Sequence, residues 1–120
     1  MATLSIILVA LVAVEHLYIL ILEMFLWEKP RTQKVFGIKK EDIETTKVMA
    51  ANQGLYNGFL SAGLFWGLLH PDSVMGSQIK IFFVLCVIVA ALYGAFTVKK
   101  FILLVQGLPA LLAYAALMLV

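Results

Sequence analysis

TLSIILVALVAVEHLYILILEMFLW, residues 3–27, decides what kind of protein this is. A helix needs ~20 mostly apolar residues to cross the hydrocarbon of a bilayer. This run is long enough, holds no proline or glycine, and is closed by Pro30, which cannot continue a helix. No Lys or Arg precedes it and no small-residue cleavage site follows, so it is expected to stay in the mature chain. Its oddity is that Glu15, His16 and Glu23 sit inside it.

The rest of the chain has the same character. Of the 120 residues, 63% are hydrophobic, and the mean hydropathy is +1.03. A soluble domain is nearer 45–50% apolar, so lipid is the expected solvent. Three further spans are predicted: about 48–69, closed by Pro71; about 79–98; and about 101–120, after a turn at Lys99–Lys100. The expected fold is all-α, a polytopic membrane four-helix bundle in one domain, 1–120, with a connection at 28–47. The second helix is expected to begin near Glu41, and Phe36–Gly37 reads as an anchored turn. Trp27 and Trp66 suit the two water interfaces.

Charge sets the orientation. Lys29, Arg31, Lys34, Lys39, Lys40 and Lys47 lie in the first connection, Lys99 and Lys100 in the third, and Lys80 alone near the second. The positive-inside rule makes the first and third connections cytoplasmic and both termini external. The net charge of +2 gives no basic face for nucleic acid. The single cysteine, Cys86, allows no internal disulfide and reads as a small apolar side chain.

An ionised carboxylate in hydrocarbon costs roughly 2.5–3.5 kcal/mol at a helix centre, so it is expected to face protein or a wet cavity. At ~100° per residue, Glu15, His16 and Glu23 fall within about a 100° arc. In AANQGLYNG, Asn52, Gln53, Tyr56 and Asn57 fall within about 140°. Beside them runs a small-residue stripe with Ser61, in which Gly54 and Gly58 form a G-x-x-x-G suited to close helix packing. With Trp27 and Lys47 as membrane entries and 1.5 Å per residue, Glu23 (roughly 6 Å deep) matches Asn52 and Gln53. Glu15 and His16 match Asn57, and Tyr93 and Gln106 lie about 9 Å from the Lys99–Lys100 turn. These residues are expected to line a polar pocket open to the cytosol that binds a small polar ligand, or else to lock the helices together by hydrogen bonds. Glu15 and His16, about 100° apart, are poorly placed to clasp one metal ion, and His70 is expected at the outer surface. No phosphate loop, dinucleotide fingerprint or nucleophile elbow occurs, and no cofactor is indicated.

EHLYILILEMFLW, Phe36–Gly37 and NQGLYNGFLSAGLFW resemble a family of small bacterial four-helix membrane proteins known only as a domain of unknown function. That resemblance implies the architecture and a place in the bacterial plasma membrane, and adds no chemistry. More distantly, the pattern is similar to the MAPEG family, membrane-associated proteins in eicosanoid and glutathione metabolism. Asn52 and Tyr56 sit where that family carries a helix-two motif. This likeness implies a homotrimer with sites between subunits near the cytoplasmic face. The family's motif also carries arginines and a Glu, where this chain has Lys47, Ala51 and Leu55. The departures count against glutathione chemistry and leave the scaffold.

Three functional readings follow. The first is a membrane protein of unassigned function with a cytoplasm-facing ligand pocket. The second is a MAPEG-like membrane enzyme or a glutathione- or lipid-binding protein. The third is a small proton-coupled exporter, since small multidrug exporters resemble this chain in length and in a membrane Glu like Glu15. Such dual-topology exporters need nearly balanced loop charge, which this chain lacks.

Overall fold

The computed structural model describes residues 2–120 and is all-α, with no strand among the described residues. It has five α-helices: α1 (Ala2–Met24), α2 (Pro30–Phe36), α3 (Ile43–Leu69), α4 (Ser73–Thr97) and α5 (Leu108–Met118). By length and composition, α1 and α4 are apolar enough to cross a membrane. At 27 residues α3 is longer still, but it carries the polar run AANQGLYNG.

Each boundary has a local cause. After Met24 the chain turns, the Phe25 and Leu26 N–H groups both donating to the Ile21 carbonyl. Pro30 then starts α2, where its missing N–H and fixed φ cost nothing. α2 stops at Gly37, whose φ of +66° is the left-handed conformation that glycine adopts freely. Its N–H and that of Ile38 both donate to the Gln33 carbonyl. A single 3-10 turn at Lys40–Asp42 leads into α3. Asp72 caps α4 by accepting from the Met75 N–H at 2.9 Å.

The first connection is folded rather than open. Trp27 is nearly buried and packs with Ile43 and Ala50, flanked by Phe36 and Ile38. Its ring lies 5.3 Å from that of Phe36, and its indole N–H donates to the Thr46 hydroxyl at 3.1 Å. Outside this cluster, Lys47 Nζ lies 2.8 Å from a Glu28 carboxylate oxygen. Relative to the sequence expectation, α1 ends at Met24 rather than Trp27, α2 is an added helix, and α3 begins two residues after Glu41. Trp27 explains this: it turns inward against Ile43, so the chain leaves the α1 axis before reaching it.

α1, α3, α4 and α5 form a ring in which sequence neighbours run antiparallel; α1 packs most extensively on α3, while α1 and α4 barely touch across the diagonal. The molecule measures 48 × 26 × 19 Å. The core is small and aliphatic: Val9, Val12, Ala13, Leu64, Val84, Val87, Ala110, Ala113 and Leu117. Small side chains let the helices approach. A Cβ at Gly54 would stand 3.0 Å from Glu23 Cβ, and one at Gly67 would stand 3.1 Å from the Gly76 carbonyl oxygen. Large apolar side chains such as Leu11, Val14, Phe82 and Val89 point outward instead.

The last segment differs most from a simple helix. Residues Leu103–Gly107 form a π-helical turn, closed by the Leu108 N–H donating to the Leu103 carbonyl. Pro109 supplies the reason. In a regular α-helix its ring would meet the Val105 carbonyl, and it has no N–H to offer that oxygen. Widening the turn to i→i+5 moves the carbonyl aside.

Candidate functional site

Three ionisable residues of α1 face the bundle, two with hydrogen-bond partners and one without among the described residues. His16 is fully buried. Its Nδ1 lies 2.9 Å from the Val12 carbonyl oxygen, an acceptor, so Nδ1 carries the proton. Nε2 must then accept, and the Gln106 side-chain amide donates to it at 2.9 Å. Both nitrogens of a neutral imidazole are thereby satisfied. Gln106 arrives from the far end of the sequence on the π-helical turn.

Glu23, two turns further along α1, is 3% exposed. Asn57 of α3 donates its side-chain amide to Glu23 Oε1 at 2.7 Å. One turn beyond Asn57 on α3, Ser61, also buried, donates to the Ala13 carbonyl at 2.7 Å. The sequence placed Ser61 only in a packing stripe. Its neighbourhood of small residues signalled close helix approach, and that approach brings its hydroxyl within reach of another helix's backbone.

Glu15 is left over. Its Oε1 is buried and has no hydrogen-bond partner among the described residues. His16 Nδ1 lies 3.9 Å away, too far for a hydrogen bond, and its proton already belongs to Val12. The other carboxylate surface is partly open, the side chain being 24% exposed.

The remaining polar residues do not join this cluster. Asn52 is exposed and donates to the Val48 carbonyl of its own helix at 2.9 Å. Gln53 is exposed, Tyr56 stands outside against Phe59, and Tyr93 is 71% exposed on the outer face of α4. The pairing expected by depth is therefore corrected: Glu23 meets Asn57, not Asn52 and Gln53, and Asn57 does not reach down to Glu15 and His16. The register of α1 on α3 is displaced by about one turn from that expectation. Its cause is the folded connection, which places Trp27 beside Thr46 and starts α3 outside the assumed entry at Lys47.

A cleft in the bundle lies at the opposite end. It is an open cleft of about 240 Å³ between the start of α1, the α3–α4 corner and the end of α5. Near the other end, the hydrogen bond and charge of Lys47 hold the Glu28 carboxyl below the usual carboxylate range, and Glu28 holds the Lys47 ammonium above its own.

These features define an all-α protein with apolar outer faces and a short list of buried polar contacts tying α1 to α3 and to the π-helical turn before α5. Residues 10–118 match the model of a family described as protein of unknown function (DUF1304), and the chain belongs to that family. It is 38% identical over 115 residues to "Uncharacterized protein YpaA" of Lactococcus lactis subsp. lactis (strain IL1403), covering 94% of this chain and 95% of that protein. No solved structure matches the chain.

Proposed function

We propose that this is a multi-pass membrane protein whose α1 carboxylate, Glu15, receives a small polar hydrogen-bond donor from the cytoplasmic side. The observation that carries the reading is the buried Glu15 Oε1, without a hydrogen-bond partner among the described residues, beside a histidine whose ring proton and lone pair are already committed. A buried acceptor left unmade costs about 1–3 kcal/mol, and more if charged. A ligand N–H or O–H recovers that cost. His16 and Gln106 form the fixed wall of the site, and Glu23–Asn57 holds α1 and α3 in register beneath it. The membrane reading rests on the apolar length of α1 and α4 and on the outward-facing apolar side chains. The orientation rests on the basic residues of 29–47 and 99–100.

Thermal unfolding of the detergent-purified protein against a panel of small amines and amides tests the site. Wild type should gain stability with at least one compound, and Glu15→Gln should lose that response while remaining folded. If no compound shifts wild type and Glu15→Gln is as stable, the cluster is a structural lock and the ligand reading fails.

A further inference from the structure

At the other end of the bundle, we propose that the cleft between the start of α1, the α3–α4 corner and the end of α5 binds a phosphate-type anion, with the Lys80 ammonium as its cationic contact. The cleft of about 240 Å³ is lined by Lys80, His70, the hydroxyl-bearing Ser73 and Ser77, and Val120; the Ser5 hydroxyl there already donates to the Ala2 carbonyl at 2.8 Å. No Asp or Glu side chain lines it. Lys80 forms no ion pair among the described residues. The nearest acid in sequence, Asp72, is committed to the Met75 N–H as the α4 cap.

The position of Lys80 is built by the backbone. A Cβ at Gly67 would come within 2.6 Å of Lys80 Cγ and 3.1 Å of the Gly76 carbonyl oxygen. One at Gly76 would come within 2.8 Å of the Gly67 carbonyl oxygen. The paired glycines let α3 and α4 touch, and the aliphatic stem of Lys80 lies across Gly67 with its reach limited. His70 also lines the cleft, its Nδ1 lying 3.0 Å from the Asp72 backbone nitrogen and 3.2 Å from the Asp72 carbonyl oxygen. An ammonium with nearby serine hydroxyls, and no Asp or Glu side chain among the described lining residues, selects an oxyanion. Lysine serves phosphate as a point charge. The volume is below the ~300–1,000 Å³ of drug-sized sites, so the occupant is a free phosphate or a lipid headgroup phosphate. The ordinary alternative is a lysine reaching to water from the end of a membrane helix, and it predicts no saturable site.

The test measures thermal unfolding of the full chain in detergent, titrated with inorganic phosphate or with a soluble short-chain phosphatidylglycerol. Sodium chloride at matched ionic strength is the reference. Lys80→Met keeps the stem on Gly67 and removes the charge; it should weaken binding by about tenfold or more, while Lys80→Arg should retain it. Saturation by inorganic phosphate identifies a free anion as the ligand, and saturation by the lipid alone identifies a headgroup; both uphold the site. The proposal is overturned if neither probe acts beyond chloride, or if Lys80→Met responds like wild type. Should Lys80→Met fail to fold, the Ser73→Ala, Ser77→Ala double variant carries the same expectation of weakened binding. Glu15→Gln, at the other end, should leave this binding unchanged, so this inference and the Glu15 reading fail separately.

Discussion

His16 makes its two hydrogen bonds to groups of opposite kind, a carbonyl at Nδ1 and an amide N–H at Nε2. Such a fully buried ring tolerates loss of a partner poorly. Gln106→Leu should destabilise the protein by about 1–3 kcal/mol in denaturant unfolding, because Nε2 is left without a donor. The double variant His16→Leu, Gln106→Leu should recover much of that loss, since no unmet polar group remains. The Glu23–Asn57 contact behaves differently, because one partner is a carboxylate. Asn57→Ala should cost about 1.5–3 kcal/mol, while Glu23→Gln, which still offers a carbonyl oxygen to Asn57, should cost less. Equal losses for the two variants in the same unfolding assay would show that the hydrogen bond is not what holds Glu23.

Between helices, the glycines are not equivalent. A Cβ at Gly58 meets the tip of Leu20, at 2.5 Å from Cδ1, and that side chain can rotate away. A Cβ at Gly67 meets the Lys80 backbone nitrogen at 3.0 Å and the Gly76 carbonyl, which cannot. Gly67→Ala should therefore lower stability by about 1–3 kcal/mol and Gly58→Ala by clearly less, as read from thermal midpoints. The junction between connection and α3 carries the pH-dependent contact. Glu28 titrates below its unfolded range, so its contribution is present above that range and fades as pH falls through the lowered folded value. Lys47 titrates above its unfolded range, so its contribution is complete below that range and fades only as pH rises through the raised value. Both side chains are exposed, so the effect is small. The difference in midpoint between wild type and Lys47→Gln should be greatest near neutrality and disappear in strong acid. A difference that persists in acid would mean Lys47 acts through something other than Glu28.

For the whole molecule, the charge distribution makes a prediction about sidedness. In a Cys86→Ala background, a cysteine at Lys40 should react with a membrane-impermeant maleimide only after cells are opened, while one at Met75 should react in intact cells. The reverse pattern would invert the orientation. Helix character was legible along the chain, because hydrophobic runs and the breaks marked by Pro30, Gly37 and Pro71 are local properties of the sequence; that α1 ends at Met24, before Pro30 which starts α2, was not. The faces of α1 were legible too: Glu15, His16 and Glu23 share one. Which residue each of them meets was not, since that depends on how far α3 slides along α1. The slide is set by Trp27 packing on Ile43, a contact between segments that no periodicity records.

The sequence by itself determined an all-α chain with long apolar helices, a basic first connection and polar groups confined to particular faces. These follow from side-chain chemistry and helical spacing alone. Only the tertiary structure decided that Glu23 pairs with Asn57, that Gln106 crosses 90 positions to His16, and that Glu15 keeps an oxygen with no partner among the described residues. It also placed Lys80 over Gly67 at the mouth of a cleft. The physical reason is the same in each case. A hydrogen bond requires two groups within about 3 Å, and one residue of register moves a helix by 1.5 Å and turns it by ~100°.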